Sequence, residues 1–343
     1  MFKIILIIIL LHEIVLLFGF LFIILVASIL AHKITRPRCF TRSENIANIE
    51  KEKALIVDPN LKREEVTFTM SDGYIIHGDI SLQDTPTKKF CIALHGFTAT
   101  REGAIMYGDI FYHLGYNLLV YDQRGHGDNK RCDISMGYFE AQDLAEIIGK
   151  LKTEYGEDIE IVLHGVSMGA ATAILCLQYI KNIKYVVSDS CYVSLKAIMG
   201  ELIHKYIIGA YLYVPYIDRF LQNRHGFGLD NVEPFKVLQE TSVPILFFHG
   251  AKDIFVKVHN VDKLYNYTRS VKEMWIFADS GHGNCIVHQR ANYTKIIQDF
   301  DSKINQLNSG NNDKNTLWKI ECFLLNLVLK KDIFSCVKGL KMI

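Results

Sequence analysis

One serine in this chain has neighbours that could make it reactive. Gly165-Val166-Ser167-Met168-Gly169 follows a short run of Ile, Val and Leu (Ile159–Leu163) and precedes Ala170, Ala171 and Ala173. That order predicts a buried strand, a tight turn and a helix. Such a turn forces unusual φ and ψ on the serine, and side chains beside it would clash. Glycine at 165 and 169 answers that clash, and the alanines let the helix press onto a sheet. The helix would begin at the serine. Its unpaired N–H groups and positive dipole end would then face a developing oxyanion. The competing reading is a surface serine that happens to lie between glycines.

A serine hydroxyl is a weak nucleophile near neutral pH and needs a base, itself oriented by an acid. The chain has 13 histidines, so position must choose among them. His282 lies between Gly281 and Gly283, just after the last predicted strand. His288 is the alternative, but it would fall inside the following helix. Asp253 follows the strand Pro244–His249 and is the expected acid. Asp189, after the preceding strand, is the second candidate, and Asp279 is too near His282 in sequence.

The elements that must position these groups are readable in order. Val66–Thr69 and Tyr74–Gly78 are strands joined by a Ser71-Asp72-Gly73 turn. Further strands are expected at Phe90–Leu94, Leu118–Tyr121, Ile159–Leu163, Tyr185–Ser188, Pro244–His249 and Lys272–Ala278. Helices are expected around Arg101–Leu114, Tyr138–Lys152 and after Ser167. Alternating strands and helices predict an α/β fold, a mostly parallel sheet with helices on both faces. Ser167, Asp253 and His282 all fall just after strands, at the edge where such sheets bind ligands.

Composition excludes other classes. Half of the 343 residues are apolar and the formal net charge is +1, so there is no nucleic-acid footprint. Eight cysteines stand without a Cys-x-x-Cys pair. No zinc, redox centre or cofactor is expected. Residues 2–31 are almost wholly apolar, and Ile14–Ala31 is free of charge. This predicts a transmembrane anchor over 1–32. A cleaved signal peptide is the rival, opposed by the long apolar run and the lack of a clean cleavage site. Lys33, Arg36, Arg38 and Arg42 follow the span, which favours the cytoplasmic face by the positive-inside rule, while an extracytoplasmic domain is the alternative because long domains can override that bias. Residues 33–63 read as a linker.

Taken together, these pieces resemble the α/β-hydrolase superfamily over residues 64–305. The similarity is strongest to the membrane-anchored bacterial members of the serine aminopeptidase and monoacylglycerol lipase-like group. His95-Gly96-Phe97-Thr98, Asp122-Gln123-Arg124-Gly125-His126-Gly127, Gly165–Gly169, Asp253 and Gly281-His282 carry it. The resemblance implies a catalytic triad of Ser167, His282 and Asp253. It also implies an oxyanion hole from the backbone N–H groups of Phe97 and Met168. His95 reads as structural. Asp122, Arg124 and His126 read as a turn-stabilising network, with Arg124 pairing to a carboxylate.

Between 191 and 234 the pattern stops resembling sheet and becomes rich in aromatic residues, a small helical cap. An apolar cap points to an acyl group, or else only packs onto the sheet. Residues 306–343 are an appendage whose end is apolar and basic, suited to a membrane surface, to the domain or to a partner. The expected activity is hydrolysis of carboxylic esters through an acyl-enzyme, with a lipid or other small ester as substrate. A peptidase of the prolyl aminopeptidase type acting on short peptides is the alternative. The third reading is a catalytically silent scaffold. Few acids in the cap (Glu201, Asp218, Asp230, Glu233) favour the ester.

Overall fold

The computed structural model describes residues 2–51, 58, 61–206, 209 and 212–309. The chain forms one compact unit through Lys295 and a second from Ile296. The apolar, basic stretch at 317–343 lies outside the described residues.

The expected mostly parallel sheet is present. Its eight strands run in the order β1-β2-β4-β3-β5-β6-β7-β8. They are β1 (Glu64–Thr69), β2 (Ile75–Ser81), β3 (Lys89–Leu94), β4 (Asn117–Tyr121), β5 (Glu160–Val166), β6 (Tyr185–Asp189), β7 (Ile245–Gly250) and β8 (Lys272–Phe277). β1 and β2 pair antiparallel around Gly73, whose φ of 80° serves the tight turn. β2 also runs antiparallel to β4, and the remaining pairs are parallel. Nearly every residue of β3–β7 is buried, so both sheet faces are covered. The cover comes from α3 (Arg101–His113), α4 (Tyr138–Tyr155), α5 (Met168–Cys176), α8 (Pro234–Glu240) and α9 (His259–Tyr267), and α10 (Cys285–Asn308) is the last helix. Register pairs Leu94 with Gly165, Val166 with Asp189, and Gly250 with Phe277. The parallel strands therefore end level, and the loops after them share one rim.

Among the described residues, the cap region holds α6 (Leu195–Tyr206), α7 (Val214–His225) and a single 3₁₀ turn at Leu229–Asn231. Leu195, Ile198, Met199, Ile203, Ile217 and Leu221 are buried apolar residues of these helices. Several cap aromatics are used in packing. Tyr192 and Phe227 are buried, and the Tyr192 hydroxyl donates to the Met136 carbonyl at 2.6 Å.

The N-terminal helix α1 (Phe2–Thr35) is, among the described residues, the one helix long and apolar enough to cross a bilayer. Its surface changes along its length. Phe2–Phe22 is exposed on all sides, whereas Ala27, Ala31, Ile34 and Thr35 are buried. Those four recur at helical spacing, and the two alanines allow close approach of α7. Phe20 meets Tyr216 of α7 edge to face, with ring centroids 5.8 Å apart.

The polar stretch after α1 is tied down by specific bonds. Ile134 N–H donates to Thr35 O at 2.8 Å, and Phe40 N–H donates to Thr98 O at 2.9 Å. A short helix, α2 (Arg42–Lys51), then lies on α3. Asn45 Oδ1 accepts from Thr100 N–H at 2.8 Å and from Thr100 Oγ1 at 3.0 Å. Both residues are buried, and Thr100 is the N-cap of α3. Replacing Asn45 with Ala strands two buried donors. We expect a loss of about 1–3 kcal/mol in urea unfolding, with Asn45→Asp retaining most of the stability because it keeps the acceptor. Equal unfolding midpoints for wild type and Asn45→Ala would remove α2 from the stability of the domain.

Candidate active site

Ser167 joins β5 to α5 with φ 55° and ψ −116°, a strained conformation for a residue with a side chain. The reason is a close backbone approach. A Cβ on Gly165 would lie 2.3 Å from Gly169 O, and one on Gly169 would lie 2.4 Å from Leu94 O. No other residue fits either position without moving main chain. Ser167 N–H donates to Asp189 O at 2.8 Å, which ties the turn to β6. Ser167 is half-buried and stands at the N-terminus of α5.

The loop after β3 lies against this turn. A Cβ on Gly96 would be 3.6 Å from Ser167 Cβ. Among the described residues, neither Phe97 N–H nor Met168 N–H has a protein acceptor. Two histidines hold this loop. His95 Nε2 accepts from Gln123 N–H at 2.9 Å while its Nδ1 bonds Gly96 O at 2.8 Å. His126 Nε2 accepts from Thr98 N–H at 3.2 Å while its Nδ1 bonds Arg124 O at 2.9 Å. Partners of these types require both rings to be neutral with the proton on Nδ1. Burial lowers His95 to about 4 and His126 to about 3. Arg124 forms a bidentate pair with Asp143 (2.8 and 2.6 Å) and reaches Asp72 at 2.8 Å. Asp122 accepts from Arg101 N–H at 2.8 Å and from its guanidinium at 2.5 Å. These groups brace the loops, as the sequence implies.

His282 and Asp253 come together. His282 Nδ1 donates to Asp253 Oδ2 at 2.7 Å. The other carboxylate oxygen accepts from Phe255 N–H at 2.8 Å and Val256 N–H at 2.9 Å. Burial alone would raise the Asp253 pKa. Hydrogen bonds from His249, His282 and the Val256 amide outweigh it and hold the carboxyl well below its usual range. The His282 loop is docked on three elements. Gly283 N–H donates to Ser190 Oγ at 3.2 Å, and Gly283 O accepts from Tyr107 OH at 2.5 Å. A Cβ on Gly283 would lie 3.1 Å from Val166 Cγ1, directly beside the serine turn. The residue after His282 thus lies against the residue before Ser167.

The rival groups have other partners. Asp189 is buried beneath the rim and accepts from Ser190 Oγ at 2.9 Å and Tyr293 OH at 3.1 Å. Burial raises its pKa. His288 lies in α10, and Asp279 is exposed and paired with Lys252 at 2.7 Å. Sequence reasoning missed His249, whose Nε2 bonds Val256 O at 2.7 Å and lies 3.4 Å from Asp253 Oδ2. It also missed Tyr107 and Ser190, which fix Gly283. Only the strand-end positions of His249 and Ser190 signal them in advance. Among the described residues, no group of His, Cys, Asp and Glu could hold a metal ion.

The neutral histidines set an acid limit. His164, buried and bonded to Tyr293 OH at 2.8 Å, is also lowered by burial to about 3. In the unfolded chain histidines titrate near 6.5. The unfolded state therefore binds more protons below that value, and stability falls as pH drops through the window from about 6.5 to 4. Each of the three contributes up to about 1.4 kcal/mol per pH unit there. Urea midpoints should fall steeply between about pH 6.5 and 5. A flat profile would mean these rings are not held neutral.

Comparison with known proteins agrees with this architecture. The family described as serine aminopeptidase, S33, matches residues 85–211. The chain is 30% identical over 243 residues to the uncharacterized protein YqkD of Bacillus subtilis (strain 168), covering 68% of this chain and 77% of that one. The esterase Pf2001 of Pyrococcus furiosus superposes with a TM-score of 0.60 at 22% identity, over 79% of this chain and 97% of its own. An acylaminoacyl peptidase of Pyrococcus horikoshii superposes with a TM-score of 0.55 at 17% identity, over 70% of this chain and 42% of its own. A sheet in this strand order, a serine turn after β5 and these relatives lead to one conclusion: the chain belongs to the α/β-hydrolase superfamily.

Proposed function

We propose that the protein is a membrane-anchored serine hydrolase of carboxylic esters. The observation that carries the reading is the 2.7 Å bond between His282 Nδ1 and Asp253 Oδ2, in a loop pressed against the strained Ser167 turn. With Nδ1 donating to Asp253, His282 presents Nε2 as the base. Nε2 takes the Ser167 hydroxyl proton as Oγ attacks the ester carbonyl carbon. The resulting oxyanion is held by Phe97 N–H and Met168 N–H, helped by the dipole of α5. Collapse of the tetrahedral intermediate breaks the bond to the alkoxide, which takes the proton from His282. Water then repeats the sequence on the acyl-enzyme, giving the acid and free Ser167. Asp253, held ionised by its bonds, stabilises the imidazolium in both halves.

Two features favour an apolar ester over a peptide. Ile254 and Phe255 follow the triad acid and are 65% and 58% exposed, and the Phe255 ring centroid is 5.7 Å from that of His282. Their turn is held by the two amide bonds to Asp253, so the apolar rim is fixed to the catalytic machinery. Each cap acid is engaged within the protein: Glu201 with His259, Asp218 with Leu229 N–H, Asp230 with Lys196 and Glu233 with Lys236. These pairings leave little negative charge for a peptide ammonium group, although Glu201 Oε2 is buried without a hydrogen-bond partner. The anchor reading is supported by the buried face of α1, since cleavage after a signal would remove Ala27, Ala31 and Thr35 from their contacts.

Turnover of p-nitrophenyl esters should exceed that of aminoacyl anilides and should rise with acyl chain length. Ser167→Ala should lower kcat by on the order of 10⁶, and Asp253→Asn by on the order of 10⁴. A fluorophosphonate probe should label wild type at Ser167. Folded wild type that resists the probe would favour the silent scaffold, and faster turnover of the anilides would favour the peptidase.

A further inference from the structure

A groove of about 710 Å³ lies between the last turns of α1 and of α7. Its polar lining is Ser28, the basic residues His32, Lys33, Arg36, Arg224 and His225, and one carboxylate, Asp133. That carboxylate is already taken. Arg36 Nε lies 2.5 Å from it, and His225 Nδ1 lies 2.6 Å from its other oxygen. Among the described residues, no carboxylate pairs with Lys33 or Arg224, and Arg224 instead lies over the Phe220 ring at 5.6 Å. The groove therefore carries cations beyond what the protein neutralises.

Its other wall is apolar, formed by Ile29, Ala31 and Phe220. This wall continues the surface that α1 exposes from Phe2 to Phe22. The uncharged run of α1 ends at Ala31, and the basic lining begins at His32. A spanning helix changes from hydrocarbon to headgroup at such a boundary, and Lys and Arg there extend toward phosphate. Unpaired cations beside an apolar wall suit one amphiphile, with an anionic head and acyl chains. A free anion would use the cations but not the wall.

We propose that the groove between α1 and α7 binds an anionic phospholipid, its phosphate held by Lys33 and Arg224 and its acyl chains lying along α1 past Ile29. This rests on the anchor reading above. It makes the cap helix α7 part of a lipid-binding site.

The test uses the full-length protein in nanodiscs of phosphatidylcholine, with and without phosphatidylglycerol. Lipid retained after gentle detergent release is counted by native mass spectrometry. Wild type should keep phosphatidylglycerol in preference to phosphatidylcholine. Lys33→Gln and Arg224→Gln should each weaken retention about fivefold, and the double variant should lose both factors. Arg219→Gln, an exposed cation of α7 outside the groove, should retain wild-type behaviour. Turnover of a soluble ester checks that each variant is folded. Equal phosphatidylglycerol retention by wild type and the double variant would overturn the proposal. So would displacement of the lipid by inorganic phosphate, which would reveal a small-anion site. Insertion without lipid preference defeats this inference alone, whereas failure to insert into either nanodisc defeats the anchor reading and this inference together.

Discussion

The first turn of α5 lies against the end of β3 at a separation that only hydrogen can fill. A side chain at Gly169 would meet the carbonyl oxygens of Leu94 and His95 at 2.4 and 2.6 Å. This one approach organises the rim. It sets the N-terminus of α5 beside the loop after β3, and it forces the backbone of Ser167 into positive φ. The strain at Ser167 is sustained because its own N–H and C=O are both engaged, with Asp189 O and Ala171 N–H. Were the helix to lift, Gly96 and Ser167 would separate, and the loop after β3 would leave the serine turn.

Neutral imidazoles brace the same rim. His95 and His126 act as struts with an acceptor at one end and a donor at the other, each stitching one loop amide to one loop carbonyl. A charged ring could not do this, because its second N–H would face another N–H. Burial keeps the struts neutral, and Arg101 adds its positive charge against His95. His282 has different surroundings. It is partly exposed and bonded to a carboxylate that is itself held ionised. The same residue type thus serves as a fixed brace where it is buried between backbone groups and as a candidate base where it meets an ionised partner.

Much of this was legible in the sequence because short-range patterns carry it. Gly165 and Gly169 around Ser167 reflect a local steric demand, and the alternation of strands and helices reflects period and burial. Strand ends could be found, so the residues just after them could be found too. The bracing layer was harder to see. His249, Ser190 and Tyr107 act through contacts between residues 7 to 176 positions apart, and beyond the strand-end positions of His249 and Ser190 nothing in the local sequence marks them. The stretch after α1 also reads as a linker by composition. Its polar residues face buried partners on the domain, as Asn45 does toward Thr100, and a polar residue looks alike in sequence whether its partner is water or a buried amide.

That stretch changes what the N-terminal helix does for the domain. From Ile134 N–H on Thr35 O to Thr100 on Asn45, successive bonds run from the end of α1 to the loop that carries Phe97. On the other side, Ala27 and Ala31 seat α1 in the fold, and Phe20 lies against the cap helix α7. A tether of flexible chain would decouple the domain from α1. Here the helix meets both the cap and the approach to the loop beside Ser167, so a force or a lipid acting on α1 has rigid contacts through which to reach the rim.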